Sequence, residues 1–547
     1  MRRARPMILT ALLLLAAACG WAAQPGQSLP GRALPVLARI GPWPVVSQFA
    51  AYDGRLWFAN SVKGVNHNSA DLYTYDAQTG GVRYERHLFS QDAGDPLVAD
   101  GLLYWPSEDS RYSLGWGQFA VTEGRRWRVL PIPTASIFHT HAMVKAGGRL
   151  VAATSAWRGG FQESRDGGLT WRKVYDHPTQ RGRVSRIVSL ATLHGQVFGY
   201  IKERRGGRNL PRLLLLEGDA VTEVPGWPRE RPLLAMVAFA GFLYGALETP
   251  QGTAVWRTDG RRSERMAPPR PHWNLRGMAA GHDGLWAVTA GKDGGRLWFS
   301  RGGANWRVRH TLSGGRPHQV TVYGGRPYVG GAGADGRGIL WGPPVPAPNQ
   351  PPEPRGKLPR RAARERVDWD EARRKLREAV RDLSGPGRPG AGLRDLVYGY
   401  ALAAPPPELF SEPLGGPLRE REVSLIGGNA RVSEATLARW ILLWGIGLSG
   451  RGRVPVELLA EPWRTPPNRP QKYFQNPPAA MYAAALAGQK QRPTIAALIA
   501  RLSREGDPLW LKGDAVGALT ALTGRRFAYD FAAWRKWWGA AEPSWPH

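Results

Sequence analysis

The sequence predicts a seven-bladed β-propeller followed by a small all-α domain. Three observations lead there. A short signature, leucine or a stand-in and then usually an aromatic, recurs as Leu56-Trp57, Leu103-Tyr104, Leu150-Val151, Val197-Phe198, Leu243-Tyr244, Leu285-Trp286 and Pro327-Tyr328. The copies stand 47, 47, 47, 46, 42 and 42 residues apart, and a glycine comes just before each, as at Gly54, Gly101 and Gly148. A period of that length filled with strand-like runs is one four-stranded blade per repeat. Past residue 366 the apolar spacing turns helical.

The first element is an export signal. Arg2, Arg3 and Arg5 precede an apolar run from Met7 to Ala18, too short to span a bilayer comfortably. The run ends Ala16-Ala17-Ala18-Cys19, and Cys19 is the only cysteine. This ending resembles a bacterial lipobox, which implies that Cys19 is lipidated and becomes the first mature residue. An ordinary signal peptide cleaved at or just beyond Ala18 is the plain alternative. Exported chains seldom keep an unpaired thiol, which favours the lipoprotein. Gly20 follows, with no Asp to imply inner-membrane retention, so the expected home is the outer membrane, facing periplasm or cell surface. Residues 19–34, rich in Gly, Pro and Gln, read as a flexible tether.

The propeller is expected over 35–343. Its third blade reads as strands Ala142 to Lys145, Leu150 to Thr154, Gly160 to Ser164 and Thr170 to Val174, with Gly147-Gly148 in the first hairpin. Blade six repeats this as Met278 to Ala280, Leu285 to Thr289, Arg296 to Ser300 and Trp306 to His310. The seventh copy stops at Ile339-Leu340-Trp341, one strand short. Residues 35–40 lie where an outermost strand belongs, so they are expected to complete the last blade and close the ring, which hides the sheet edges.

Residues 344–366, Pro-rich and then Arg-rich, read as an extended linker. In the helical domain, 367–547, a charged helix runs from Trp369 to Leu383. Ser433 is placed to cap a helix striped by Leu437, Trp440, Ile441 and Trp444. Thr494 is expected to cap Ile495 to Leu502, Asp507-Pro508 to start a helix and Gly524 to stop it. Asp530 caps a last helix with Phe531, Trp534, Trp537 and Trp538, ending at Gly539. The layout resembles HEAT-like repeats; a plain helical bundle fits as well.

Composition bounds the function. Lys and Arg total 74 against 44 Asp and Glu, a formal charge of +30. A GC-rich genome explains much of the arginine. The charge also attracts anionic partners such as headgroups and acidic glycans, while the export signal disfavours nucleic acid.

Blade three contains Ser164-Arg165-Asp166-Gly167-Gly168-Leu169-Thr170-Trp171. It matches the Asp-box pattern Ser-x-Asp-x-Gly-x-Thr-Trp at every defined position, and the chain there resembles the Asp-box (BNR-repeat) propellers. That group includes sialidases, some glucan hydrolases and non-enzymatic assembly factors. The resemblance implies a structural role for Ser164, Asp166, Gly168, Thr170 and Trp171 away from any active site. Remnants recur as Ser300 to Trp306, Thr122-Glu123-Gly124 and Thr258-Asp259-Gly260. The sialidase catalytic set does not carry over: Arg39-Ile40-Gly41-Pro42 breaks the Arg-Ile-Pro motif, and no Tyr–Glu pair can be assigned. Seven-bladed photosystem assembly factors, exported and partner-binding, are a closer analogue.

A site is expected at the channel mouth where the innermost strands begin. Aligned on the repeat leucine, His141, His318 and Arg276 share one place, and His139, Arg316, Arg186 and Asp92 stand two residues earlier. Residues two apart on a strand share a face. Loops between second and third strands add His67 between Asn66 and Asn68, Glu108 and Asp109, Trp157 and Arg158, Arg204 and Arg205, and Lys292 with Asp293. Three readings fit: a solvated, hydrogen-bonded channel; a site gripping carboxylates or phosphates with Arg186, Arg276, Arg316 and the histidines; or a metal site on His139, His141 and His318. No cofactor motif or nucleophile–base pair is present. The expected role is an envelope binding or scaffolding protein with an anionic glycan or protein partner. The alternative is a glycan hydrolase, for which Glu108 or Asp109 would face Asp92 or Asp95 across a cleft.

Overall fold

The computed structural model describes residues 32–63, 70–110, 115–134, 139–179, 183–205, 208–229, 231–266, 273–291, 294–344, 354–359, 367–383, 389–424, 431–460 and 476–545. Cys19, Asn66, His67, Asn68, Lys292 and Asp293 lie outside them.

Seven mainly antiparallel sheets form a ring, six of them built outward in chain order and the seventh taking its outer strand from residues 36–40. Blade one is Val45–Tyr52, Arg55–Ser61, Asp71–Tyr75 and Val82–His87. Blade three is His139–Ala146, Arg149–Ser155, Gly159–Ser164 and Arg172–Asp176. Its outermost strand starts later than expected because Thr170 belongs to the turn: its N–H and hydroxyl both donate to Asp166, at 2.9 and 2.6 Å. The Ser164 hydroxyl accepts from Gly168 N–H at 2.8 Å, and Trp171 Nε1 donates to Gly168 O at 2.9 Å. Gly168 has φ +97°, and a Cβ there would sit 2.4 Å from the Phe119 ring. The blade-six turn keeps the Trp306 Nε1 to Gly303 O bond without the Asp.

Ring closure follows the expectation. Val36–Ile40 pairs antiparallel with Gly338–Trp341, with Arg39 opposite Ile339 and Ile40 opposite Gly338. The paired chain starts earlier than the expected tether allows. Arg32–Ala33 lies parallel to the outermost strand of blade six, Leu34 donates to Thr311 O, and the Leu34 side chain is buried with Leu312 and Trp341. One segment thus staples two blades.

The innermost strands carry a regularity that the repeat alone does not reveal. In blades one, three, four, five, six and seven the pairing with the second strand slips by one residue, at Gln48, His141, Val188, Leu234, Arg276 and His318. These are β-bulges, which re-aim a side chain and tighten the twist. Blade two instead breaks its innermost strand into Ser90–Ala93 and Leu97–Ala99, with Asp95 bridged to Ala142 of blade three.

The helical region holds eight α-helices among the described residues: α1 Trp369–Arg381, α2 Ala391–Ala401, α3 Glu434–Ser449, α4 Val456–Ala460, α5 Asn476–Ala487, α6 Arg492–Ser503, α7 Leu509–Thr523 and α8 Phe531–Ala541. Ser433 caps α3, Gly524 ends α7 in the left-handed conformation, and Asp530 caps α8, as expected. Two readings are corrected. Thr494 is buried inside α6, which already starts at Arg492 because Pro493 suits a first turn. Gly539 does not stop α8, which runs to Ala541; a single glycine weakens a helix without ending it.

The helices share a continuous core with blades one and two. Trp116 of blade two meets Trp444 of α3 and Tyr398 of α2 edge-on at 5.4 and 5.1 Å, with the Arg394 guanidinium over its ring. Tyr482 of α5 donates to Gln118 Oε1 at 3.0 Å. Helix α7 crosses blade one so closely that a Cβ on Gly517 would lie 2.6 Å from the His87 side chain. The linker is docked too: Gly356 N–H donates to Gly101 O, and Arg355 pairs with Asp53 at 3.1 Å.

Candidate functional site

The bulges decide what faces the channel mouth. His141, Arg276 and His318, which share one place in the repeat, are the bulged residues of their strands. Arg186, Arg316 and His139 sit two positions before a bulge or its equivalent, at the starts of Val184–Leu193, Gly315–Tyr323 and His139–Ala146.

His139 and His141 are together but enclosed. Their rings stack at 5.4 Å and 17°, and they are 5% and 7% exposed. His141 Nε2 is 2.9 Å from Ser155 Oγ, and Nδ1 lies 3.8 Å from Glu108 Oε1. Burial first, then Arg186 and Lys202, pushes His141 down to about 3; burial, His141 and Arg186 hold His139 well below its ordinary value. Both rings are neutral at pH 7, so they line the wall and do not grip anions as cations. His318 is half-buried and pushed down to about 4 by burial, Arg316, Lys63 and Arg276. Among the described residues no three His, Cys, Asp or Glu side chains gather as a metal centre would need.

The arginines behave differently. Arg186 stands directly opposite Lys202 of the neighbouring strand. Like charges placed there destabilise a sheet, and among the described residues neither forms a direct ion pair. Burial, relieved in part by Glu108 and reinforced by Arg186, lowers the Lys202 ammonium. Arg276 and Arg316 come from adjacent blades, and burial with Arg316 nearby lowers Arg276. Arg158, exposed beside Trp157 (48% exposed), stands next to blade four, where Ser185 N–H donates to Trp157 O.

Blade two supplies the opposite sign. Asp92 and Glu108 are partners on neighbouring strands of one sheet, not opposite walls of a cleft. Lys63 Nζ bridges Asp92 Oδ2 at 2.5 Å and Gln48 Oε1 at 3.0 Å. Burial, and to a lesser extent Glu108, raises Asp92 against Lys63; burial raises Asp95 to about 6, Lys63 opposing and Asp92 and Glu108 assisting. The mouth is therefore polarised, acidic at blade two and cationic across blades four, six and seven. Lys63, Lys202 and Gln48 were not among the sequence candidates. Lys63 sits in a second-to-third loop, which is the signal that marks it.

Between blades six and seven the mouth deepens into a cleft of ≈ 730 Å³, lined by Asn274, Arg276, Gly294, Gly315, Arg316 and Gly333 among others.

The family model described as outer membrane protein assembly factor BamB matches residues 37–198. No curated protein matches the chain. Among solved structures, the β-propeller domain of the Trilobed protease from Pyrococcus furiosus is similar at 8% identity, covering 55% of this chain and 96% of that one with a TM-score of 0.38. A polysaccharide lyase of family PL25, an ulvan lyase, aligns at 11% identity over 58% and 96%, TM-score 0.39. A regucalcin from Agrobacterium tumefaciens aligns at 12% over 48% and 93%, TM-score 0.34. No helix among the described residues is long and apolar enough to cross a membrane. The chain is a seven-bladed β-propeller with a C-terminal helical region, and the matched family model spans its first three blades and the start of the fourth.

Proposed function

We propose that the chain is an exported, lipid-anchored binding or scaffolding protein of the cell envelope whose channel mouth receives an anionic glycan or protein partner. The observation that carries this is the arc of Arg186, Lys202, Arg276 and Arg316, four cations held at the mouth without ion-pair partners among the described residues. Guanidinium and ammonium groups kept side by side against their repulsion gain most when an anion joins them. The assembly-factor description of the matching family favours a protein partner in the envelope. The hydrogen-bonded turn at Ser164 to Trp171 supports placing the chain among Asp-box propellers. A second reading, hydrolysis of an acidic glycan, draws on Asp95, whose value of about 6 suits a general acid. It would be supported by turnover of an acidic polysaccharide that Asp95→Asn abolishes.

Titration with dextran sulfate tests the mouth. The double variant Arg186→Gln/Lys202→Gln is expected to bind at least about tenfold more weakly. Wild-type binding should weaken steeply between about 0.1 and 0.5 M salt, where screening shortens to a few ångströms. Equal binding by both proteins would refute the mouth as the anion site. For the anchor, Cys19→Ser is expected to move the protein from the membrane fraction to the soluble one. A variant that stays with membranes after a salt wash would remove the lipid from the proposal.

A further inference from the structure

The cleft between blades six and seven is more than a stretch of basic surface. Among the described residues its only charged lining side chains are Arg276 and Arg316, and neither has an ion-pair partner there. Arg276 is the bulged residue of its strand, and its Nε is buried without a hydrogen-bond acceptor. A desolvated guanidinium N–H left unmatched is costly unless something supplies the acceptor.

The remaining walls are small. Apart from Asn274, every other described lining residue is glycine or alanine. Three of the glycines cannot be enlarged without meeting backbone: a Cβ on Gly294 would lie 2.3 Å from Leu312 O, on Gly315 2.4 Å from Ala332 O, and on Gly333 2.8 Å from Arg337 O. Close backbone approach thus keeps side chains out of the cleft. Its volume of ≈ 730 Å³ falls in the range of small-molecule sites. With no large apolar side chain among the described wall residues, an apolar ligand finds little to pack on. A hydroxyl-bearing ligand finds backbone polar groups and Asn274.

We propose that this cleft is a binding site for a small, hydroxyl-bearing oxyanion, its carboxylate or phosphoryl group held in the forks of Arg276 and Arg316. The inference rests on the reading of the mouth as an anion-binding face and narrows it to one pocket and one kind of ligand. The oxyanion is either a free small molecule or the end group of an envelope polymer.

Calorimetric titration of the full chain with D-glucuronate, glucose 6-phosphate, glucose and tri-galacturonate tests it. One or both small acids are expected to bind, and glucose to give no heat. Arg276→Gln and Arg316→Gln should each weaken the acid by about tenfold or more. Arg186→Gln should leave it within about twofold, since that residue lies across the mouth. Trimer binding equal to the monomer would assign the site to an end group or free acid; tighter trimer binding would extend the ligand along the mouth. Unchanged melting temperatures in the variants keep a loss of binding from being a loss of fold. If neither acid binds while dextran sulfate still does, the cleft proposal falls and the mouth reading stands. If dextran sulfate also fails, both fall.

Discussion

Asp71→Ala is expected to lower folding stability by about 3–5 kcal/mol, the cost of leaving buried charge without its partner. Asp71 is the hub of a buried polar cluster joining blade one to the helical region. Its carboxylate accepts from Trp43 Nε1 at 2.5 Å, His87 Nδ1 at 2.8 Å and the Tyr529 hydroxyl at 2.7 Å. The other His87 nitrogen, Nε2, lies 3.0 Å from Asp514 of α7. Burial works to neutralise His87, but attraction to Asp71 and hydrogen bonds to Asp514 and Asp71 prevail and raise it to about 9. The sign of the pH effect follows. A ring whose folded value exceeds its unfolded one, near 6.5, contributes fully below about pH 6.5 and loses that contribution as pH rises through 9. Urea unfolding at pH 6 and pH 9.5 should therefore show lower stability at the alkaline end, and His87→Gln should flatten the difference. A wild-type midpoint that rises toward pH 9.5 by the same amount in both proteins would contradict a charged His87.

Deleting residues 32–40 should have the other large effect. Blade seven would lose its outer strand and expose the edge of Gly338–Trp341. Blade six would lose the cover of Arg32–Ala33 and the buried Leu34. An unpaired, largely apolar edge invites pairing with another chain. Light scattering should show oligomers at concentrations where the parent is unchanged, and refolding from urea should fail to return the parent's far-ultraviolet spectrum. A monomer that refolds like the parent would mean the ring does not depend on its closing strand.

The architecture was written plainly because propeller blades are local. Each is built from consecutive strands joined by short hairpins, so a repeated leucine-aromatic pair and its glycine report the blade count directly. Closure was legible for the same reason, by counting: Ile339-Leu340-Trp341 lacked a successor, and residues 35–40 had no blade of their own. Helix caps at Ser433 and Asp530 were readable because capping spans three residues.

Residue register at the mouth was a different matter. From the hairpin at Leu193 and Gln196, uninterrupted pairing would set Arg186 against Glu203, an ordinary ion pair. The bulge at Val188 shifts the partner by one, to Lys202. That single slip turns a neutral contact into an unpaired cationic one, and nothing in the local residues announces it. The histidines, alike by position, differ by packing: His141 lies buried on His139 while His318 remains half-open beside Arg316.

Chain order and short-range spacing settle how many blades there are, where they start and what seals them, since those features depend on neighbours along the backbone. Which mouth charges stand unpaired, and that Asp71 and His87 of blade one await Asp514 and Tyr529 more than 400 residues away, depends on contacts among distant segments. Burial and strand register are properties of the packed assembly, and they decide which groups stay charged and which charges face each other.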